Sequence, residues 1–337
     1  MATDAPDWTT PGVYPVAPGV HRIPLPLPND GLRAVNVYVI DDGDGLVLVD
    51  SGWALPESLT QLQRGLSELG ADLPDVRRIL VTHVHRDHYT QAMTIRGEAG
   101  STVALGVGEK PALQLILEES GAAVSWIDRQ RGILARLGAD ALAAQLRPSP
   151  QEPGLWGLPD EWIEDDERLE LGTRTLRSVP TPGHTRGHVV FVDEPAGLLF
   201  AGDHVLPSIT PSIAVEPNPS RLALRDYLHS LRKVRAMPDR LLLPAHGAVA
   251  PSTHARIDEL LIHHDTRLDD TLAAVTQGCT VAEVAARLRW TRRGRSFDSL
   301  DLFNQILAVG ETSAHLDLLV HTGRLRSSEV DGVTRFG

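Results

Sequence analysis

Short apolar runs and amphipathic segments alternate along the first 255 residues of the chain. Residues 34–40 and 45–52 are rich in β-branched side chains, and the Gly/Asp turn between them predicts a β-hairpin. The segment that follows predicts an amphipathic helix, because its leucines recur at helical spacing. These leucines are Leu55, Leu59, Leu62, Leu66 and Leu69.

The same rhythm of strands and helices then continues and occurs a second time. Residues 76–85 predict a buried strand, which is followed by a helix and by a strand over residues 101–106. From about residue 160 the strand pattern returns, and it leads to a helix over residues 219–237 and a strand over residues 240–247. A β-β-α-β order in two halves predicts an α/β sandwich.

Three segments depart from this rhythm. Residues 1–30 are rich in proline and glycine and predict an extended lead-in, whereas residues 109–150 predict an inserted helical segment. After about residue 255 the pattern is almost entirely helical, with a short β-hairpin at the end. We therefore expect a catalytic domain over residues 1–255 and a small C-terminal helical domain over residues 256–337.

The composition of the 337-residue chain is that of a globular protein with an acidic surface, since 42% of residues are hydrophobic and the net charge is −12. This charge argues against a main role in binding nucleic acid. The single cysteine, Cys279, excludes an internal disulfide and a thiolate metal cluster. Neither a signal peptide nor a run of about 18 apolar residues is present, so we expect a cytoplasmic protein with no membrane partner.

The sequence VTHVHRDH, residues 81–88, places three histidines and an aspartate directly after a predicted strand. In extended backbone, residues two apart point to the same side, so His83 and His85 can face one metal ion. Asp87 and His88 follow at the start of a helix and can face a second ion. Imidazole and carboxylate groups are ligands of zinc and of other first-row metals. The segment predicts a metal site, but four groups cannot complete two coordination spheres.

Further ligand candidates follow three other predicted strands. They are His184 and His188 in TPGHTRGH, Asp203 and His204 in LLFAGDHV, and His246 in LLLPAHG. Open α/β sheets build their sites at the carboxyl ends of strands, so we expect these side chains to meet the histidine motif. His204 is a candidate for the pocket lining only, because a simply buried histidine fits its position equally well.

At these residues the chain resembles the metallo-β-lactamase-fold hydrolases. The four segments are H-x-H-x-D-H, T-x-G-H, G-D after an apolar strand, and P-x-H-G, and they occur in the family's order. The resemblance covers residues 15–255, and the remainder resembles the winged-helix-like appendage of a glyoxalase-II-like branch. It implies an α/β fold, the αββα metallo-β-lactamase sandwich, with an inserted helical segment and a small C-terminal helical domain.

The resemblance also implies a role for each candidate residue. The first metal ion would be held by His83, His85 and His184, the second by Asp87, His88 and His246, and Asp203 would bridge both. Asp50 matches an aspartate that braces the ligands from behind, a need that imidazole ligands have in general. His188 matches a structural position and is not counted as a ligand.

Such a site implies a hydrolase with two divalent metal ions, zinc in the first place and iron or manganese as alternatives. A hydroxide shared by the ions would attack a carbonyl group, Asp203 would set their spacing, and Asp87 would orient the hydroxide. The expected substrate is a small ester-like molecule, either a thioester of coenzyme A or of glutathione, or a lactone. An RNA nuclease and a mononuclear-iron sulfur dioxygenase are the alternatives. The expected partners are this small molecule and a second copy of the chain in a homodimer.

Three further features have a structural and a functional interpretation. His263 and His264 lie in a predicted helix and are expected to be exposed, because ligand pairs on a helix are three or four residues apart. The basic residues 287–295 predict a solvated helix end or a phosphate contact, and Trp290 either stacks on a base or anchors the C-terminal segment. Apolar side chains of the insert are expected to pack on the core, some of them as a lid. These are Trp126, Ile127, Ile133, Leu134 and Leu137.

Overall fold

Two β-sheets pack face to face and carry helices on their outer faces, which confirms the predicted αββα sandwich. The protein is seen in a computed structural model, which describes residues 7–28, 31–119, 126–147, 154–213, 216–291 and 293–337. Arg292 and the side chain of Trp126 lie outside the described residues.

The first sheet has seven strands within the described ranges, and their spatial order follows the chain. They are β1 (Tyr14–Ala17), β2 (Val20–Pro26), β3 (Ala34–Asp41), β4 (Leu46–Val49), β5 (Val76–Val81), β6 (Thr102–Gly106) and β7 (Glu161–Ile163). Strands β1 to β4 pair antiparallel, whereas β4 to β7 pair parallel. The carboxyl ends of β4, β5 and β6 therefore lie at one edge of the sheet.

The second sheet has five strands in the same described part of the chain. They are β8 (Arg168–Glu170), β9 (Thr175–Pro180), β10 (Val189–Asp193), β11 (Leu198–Gly202) and β12 (Leu241–Pro244). Their spatial order is β12-β11-β10-β9-β8, with a parallel pair only between β11 and β12. That parallel pair places the ends of β11 and β12 side by side.

Helices cover both outer faces and make up most of the C-terminal part. They are α1 (Pro56–Glu68), α2 (Arg86–Ala99), α3 (Lys110–Glu119), α4 (Trp126–Arg136), α5 (Asp140–Ala143), α6 (Ala223–Arg235), α7 (Thr253–Ala274), α8 (Val281–Arg287) and α9 (Leu302–His321). A small sheet joins β13 (Cys279–Thr280), β14 (Ser327–Val330) and β15 (Val333–Phe336). The last two strands form the predicted closing hairpin.

The alternation of apolar side chains explains why the sheets form two layers of core. In β3, Val37 and Val39 pack with Leu62 and Leu66 of α1, whereas the intervening Tyr38 packs between the two sheets. Successive strand residues point to opposite faces, so a strand that is apolar at every position serves both layers. The same arrangement holds in the second sheet, whose outer face packs against α6 and α7.

The prediction that residues 1–30 form an extended lead-in was wrong, because this segment supplies β1 and β2 of the first sheet. Two of the prolines in this proline-rich and glycine-rich segment, Pro24 and Pro26, lie in β2. On one side, β2 pairs with β1 only through residues 20–22, so these prolines face an edge where no partner needs their N–H. Proline is tolerated at such a position.

The helical insert packs differently from the prediction. Leu134 and Ala139 lie in a cluster with Val284 and Val309 of the C-terminal helices, and Leu137 packs against the same cluster. The expectation that Leu134 and Leu137 pack on the sandwich core was therefore wrong, because α8 and α9 present the apolar faces that this part of the insert covers. Ile127 is buried and Ile133 is half-buried.

The C-terminal helices are continuous with the sandwich. Helix α7 runs through residues 255 and 256, where the domain boundary is predicted, and its Ile257 and Leu260 pack in the cluster that covers the second sheet. The predicted capping box is present at the start of α8, since Thr280 accepts from the N–H of Glu283 and the Glu283 side chain accepts from the N–H of Thr280.

Candidate metal centre

All of the predicted ligands follow the carboxyl ends of strands, as expected. His83 comes two residues after β5, and His184 four residues after β9. Asp203 directly follows β11, and His246 comes two residues after β12. These ends meet at one edge of the sandwich because β5 in the first sheet and the parallel pair β11–β12 in the second sheet end on the same side.

Three histidines, His83, His85 and His184, form what we call the first trio. His85 Nδ1 lies 3.1 Å from His83 Nε2 and 3.1 Å from His184 Nε2, and the two Nε2 atoms are 3.3 Å apart. Nitrogens bound to one tetrahedral zinc ion at about 2.0–2.1 Å are about 3.3 Å from one another. The nitrogens of the first trio are thus spaced as ligands of a single ion.

Asp87, His88 and His246 form what we call the second trio. Asp87 Oδ2 lies 3.5 Å from His88 Nε2 and 3.4 Å from His246 Nε2. The three ligand atoms belong to one of the groups whose geometry can hold a metal ion.

Asp203 lies between the two trios. Its Oδ2 is 3.4 Å from His184 Nε2, and its Oδ1 is 3.4 Å from His246 Nε2 and 3.8 Å from His88 Nε2. One carboxylate therefore lies within 3.4–3.8 Å of candidate ligands in both trios.

Asp50 braces the centre from behind. Its carboxylate accepts hydrogen bonds from the N–H of Thr82 at 2.8 Å and from the Thr82 hydroxyl at 2.9 Å, and it lies 2.9 Å from His88 Nδ1. The Asp50 backbone has a φ of 61°, a left-handed conformation that aspartate tolerates better than most residues. This conformation turns the chain at the end of β4 so that the carboxylate reaches the histidine motif.

Backbone carbonyl groups fix two other imidazoles. His184 Nδ1 donates to the carbonyl oxygen of Ser212 at 2.7 Å, and His246 Nδ1 donates to that of Ala34 at 2.8 Å. Each ring then has its Nε2 lone pair directed into the centre. His188 uses both ring nitrogens, because Nδ1 pairs with the Thr181 hydroxyl and Nε2 accepts from the N–H of Asp203.

Burial and nearby charges give the histidines of the two trios different pKa values. Burial and the neighbouring His184 lower the pKa of His85 to about 3, and burial also lowers the pKa of His83 and of His184. Burial would lower the pKa of His88 too, but the surrounding carboxylates outweigh it and raise the pKa to about 10. The first trio therefore offers neutral lone pairs, and the second trio lies in a negative environment where a cation can replace a proton.

The donor set fits a pair of divalent cations. His88 Nε2, His246 Nε2 and Asp203 Oδ1 are buried and have no hydrogen-bond partner within the described residues. Buried polar atoms are almost always paired, and a bound cation would satisfy these three at once. Nitrogen and carboxylate ligands with no thiolate are suited to zinc, iron or manganese.

Comparison with protein families agrees with this geometry. The family model described as the metallo-beta-lactamase superfamily matches residues 30–246, well over half of the chain. The chain belongs to this superfamily. A second family model, the metallo-beta-lactamase-like C-terminal domain, matches residues 268–337.

Two solved structures are similar over almost the whole chain. A metallo-beta-lactamase family protein from Thermus thermophilus has a TM-score of 0.77 at 27% identity and covers 95% of this chain and 98% of its own. A beta-lactamase domain protein from Burkholderia ambifaria has a TM-score of 0.76 at 27% identity and covers 99% of this chain and 97% of its own. The fold similarity therefore includes the C-terminal helices.

Related proteins with functional names are more distant. The probable metallo-hydrolase YqjP of Bacillus subtilis is 24% identical over 88% of this chain and 90% of its own length. The atrochrysone carboxyl ACP thioesterase of Aspergillus fumigatus is 23% identical over 74% of this chain, which spans only 46% of that protein. The metallo-beta-lactamase relatives support the general prediction of a metallo-hydrolase, while the thioesterase and lactonase types stay predictions.

Two predictions about single histidines have different outcomes. His204 is fully buried and packs against the ring of Tyr227, with ring centroids 5.4 Å apart, and it belongs to none of the groups that could hold a metal ion in the described part of the chain. His263 is exposed as predicted, but the same prediction for His264 was wrong. Helix α7 packs on α9, so position 264 faces that helix, and His264 Nδ1 lies 3.3 Å from His315 Nε2.

The basic segment is partly structural. Trp290 is buried, its indole N–H donates to the carbonyl oxygen of Ala285, and the Arg267 guanidinium lies 4.0 Å from its ring centroid. Trp290 therefore anchors the C-terminal helices and is not available to stack on a base. Arg293 and Arg295 are exposed. Among the described residues, no helix has the length and apolar character that crossing a bilayer requires.

Proposed function

We propose that the chain is a hydrolase of a small ester-like substrate, a thioester or a lactone, that works with two divalent metal ions, zinc in the first place. The observation that carries this proposal is the position of Asp203, whose two oxygens face His184 and His246 at 3.4 Å each. Such a carboxylate can serve two ions at once. When bound, a pair of such ions lowers the pKa of water and polarises a carbonyl oxygen.

The carboxylates of Asp87 and Asp203 differ in how easily water and substrate reach them. The side chain of Asp87 is 17% exposed and that of Asp203 is 9% exposed, so water and substrate reach Asp87 more easily. We propose that the Asp87 carboxylate orients the attacking water, accepts a proton from it and passes that proton to the leaving group. A thiolate or a ring-opened alkoxide accepts this proton.

A thioester is the substrate we place first. The name of the Aspergillus fumigatus relative states a thioesterase activity, which supports a thioester over a lactone. The experiment is a hydrolysis screen of coenzyme A and glutathione thioesters, lactones, phosphodiesters, RNA and β-lactams, with the Asp203→Ala variant as blank. We expect thioester turnover well above the blank. Equal rates for the protein and the blank on every compound would overturn the hydrolase proposal.

The competing hypotheses have separate outcomes in the same work. An RNA nuclease has less support here because Trp290 is buried and the net charge is −12. RNA cleavage that the blank lacks, without thioester cleavage, would establish it. A sulfur dioxygenase would contain one iron ion per chain, whereas the proposed hydrolase contains two zinc ions, so metal analysis distinguishes them.

Arg86 gives a prediction about substrate charge. It lies between the ligands His85 and Asp87, is exposed, and its guanidinium lies 4.0 Å from the ring centroid of Trp53. Within the described residues it forms no ion pair with an acidic side chain, so its charge is available to an anionic substrate. A hydrogen bond to a charged group contributes about 1.5–3 kcal/mol. We therefore expect Arg86→Ala to raise KM at least tenfold for an acyl coenzyme A.

The matched substrate is the same acyl thioester of N-acetylcysteamine, which lacks phosphate groups, and its KM should change less than threefold. Arg64→Ala, at an exposed arginine of α1, is the matched protein variant and should leave both constants unchanged. Equal increases for the charged and the uncharged thioester would show that Arg86 acts on the ligands and not on substrate charge.

A further inference from the structure

Glu109 is a buried carboxyl group that lies against two of the segments that carry the first trio. It is 0% exposed, and its Oε1 accepts a hydrogen bond from the hydroxyl of Thr185, the residue after His184. Burial raises the pKa of Glu109 to about 7, and the Thr185 hydroxyl and the nearby backbone N–H of Val84, between His83 and His85, oppose that rise. One side chain outside the ligand set therefore touches the neighbours of all three histidines.

Two glycines allow this close approach. A Cβ atom added to Gly187 would lie 2.1 Å from the backbone nitrogen of Glu109, and one added to Gly108 would lie 2.8 Å from the Cα of Gly187. Real side chains do not tolerate such distances, so the two backbones touch only because both residues are glycine. The direct contact of the two backbone segments fixes where the Glu109 carboxyl group lies relative to Thr185.

A second buried carboxyl group interacts electrostatically with Glu109. Glu216 is 5% exposed and lies four residues after Ser212, whose carbonyl oxygen accepts from His184. Burial and the charge of Glu109 raise the pKa of Glu216 to about 9, so Glu216 keeps its proton at neutral pH. The Oε2 atoms of both glutamates are buried and have no hydrogen-bond partner among the described residues.

The supports of the two trios differ. Asp50 contacts His88 of the second trio directly and reaches His83 of the first trio through the Thr82 hydroxyl, which lies 3.0 Å from His83 Nδ1, whereas Glu109 lies against segments of the first trio only. We propose that Glu109 is the positioning residue of the first trio: it ties the segment with His83 and His85 to the segment with His184, so that their nitrogens stay at ligand spacing. This inference rests on the two-ion site of the proposed function, but its test needs no substrate.

The expected effect is a selective loss of one metal ion. Residues that orient metal ligands from behind change metal affinity about 10–100-fold when they are removed. We expect Glu109→Ala to raise the dissociation constant of one of the two ions by about this factor and to change that of the other less than threefold. Glu109→Gln keeps an acceptor for the Thr185 hydroxyl and should recover part of the lost affinity.

The experiment measures stepwise zinc binding by metal-free full-length protein, with a chelating indicator as competitor, together with the visible absorption spectrum of the cobalt-loaded form. Thr185→Val removes only the donated hydrogen bond and tests the same contact if Glu109→Ala does not fold. The matched control is Asp193→Asn, a carboxylate that is 2% exposed and paired with Arg174 at 2.9 Å at the far end of β10. It should lower stability and leave both zinc constants unchanged.

Three results would overturn the inference. They are unchanged constants in Glu109→Ala and Thr185→Val, an equal loss of both ions, or the same loss in Asp193→Asn. If the unmodified protein binds two zinc ions and hydrolyses none of the compounds in the screen, the proposed function fails, while a selective loss of one ion in Glu109→Ala still supports the role of Glu109.

Discussion

Asparagine in place of Asp203 is expected to lower kcat/KM for the cleaved thioester about 10³-fold, a loss of about 4 kcal/mol of transition-state stabilisation. The substitution keeps the shape of the side chain and removes its charge. Asp203 is the group that contacts both trios, at 3.4 Å from His184 Nε2 and 3.4 Å from His246 Nε2. A neutral amide at this point holds two cations poorly, because it has no charge and its NH2 group, a donor only, cannot coordinate a cation.

The measurement is steady-state kinetics combined with metal analysis of the same sample. We expect fewer than two metal ions per chain in Asp203→Asn and a circular dichroism spectrum like that of the unmodified protein. Asp193→Asn makes the same chemical change at a buried carboxylate away from the centre and should keep kcat/KM within about threefold. An Asp203→Asn variant with full metal content and full activity would remove Asp203 from the mechanism.

The convergence of the candidate ligands could be predicted from sequence because each candidate follows an apolar strand within a short motif. His83, His85, Asp87 and His88 lie within six positions, so local geometry alone brings them together. The more distant ligands needed only the rule that strands of a layered α/β fold end at a common edge. The structure brings His184, Asp203 and His246 to that edge and within 4.8 Å of the motif's ligand atoms.

Contacts that depend on packing between distant segments were not predictable. Glu109 is the first residue of the segment for which the sequence predicts only a helical insert, and the close approach of Gly108 to Gly187 brings it against Thr185. Similarly, the pair at 263–264 predicts two equivalent histidines. Which one is buried depends on how α7 lies on α9, a choice made by residues about 50 positions further along the chain.

The packing partner of the helical insert was not predictable from sequence either. The predicted positions whose side chains the structure describes, Ile127, Ile133, Leu134 and Leu137, are buried or half-buried, but the surface that covers Leu134 and Leu137 was not predicted. An amphipathic helix needs an apolar partner, and its periodicity does not state which one. Here the partner is the C-terminal helices, so the insert connects the sandwich to the residues matched by the second family model.

Removal of the metal ions should lower thermal stability as well as abolish activity. A ligand present at 1,000 times its dissociation constant stabilises the folded state by about 4 kcal/mol, which corresponds to roughly 6 °C in Tm for a chain of this size. The centre makes this coupling strong, because without cations the half-buried carboxylate of Asp87 and the buried carboxylate of Asp203 face the imidazoles of His88 and His246, whose Nε2 atoms have no hydrogen-bond partner in the described structure. We expect a strong chelator to lower Tm by about this amount and added zinc to restore both Tm and activity.

The matched comparison is the Asp203→Asn variant, whose Tm should respond much less to the chelator because its centre holds metal poorly before treatment. Differential scanning calorimetry at constant ionic strength measures the Tm of the unmodified protein and of Asp203→Asn, each with and without the chelator. If the unmodified protein kept its Tm after complete removal of metal, the unpartnered nitrogens of His88 and His246 would be satisfied by water and not by a cation, and the buried centre would need a different explanation. A fall in Tm that occurs in the unmodified protein and not in Asp203→Asn would instead show that bound metal ions stabilise the fold and that Asp203 is needed to bind them.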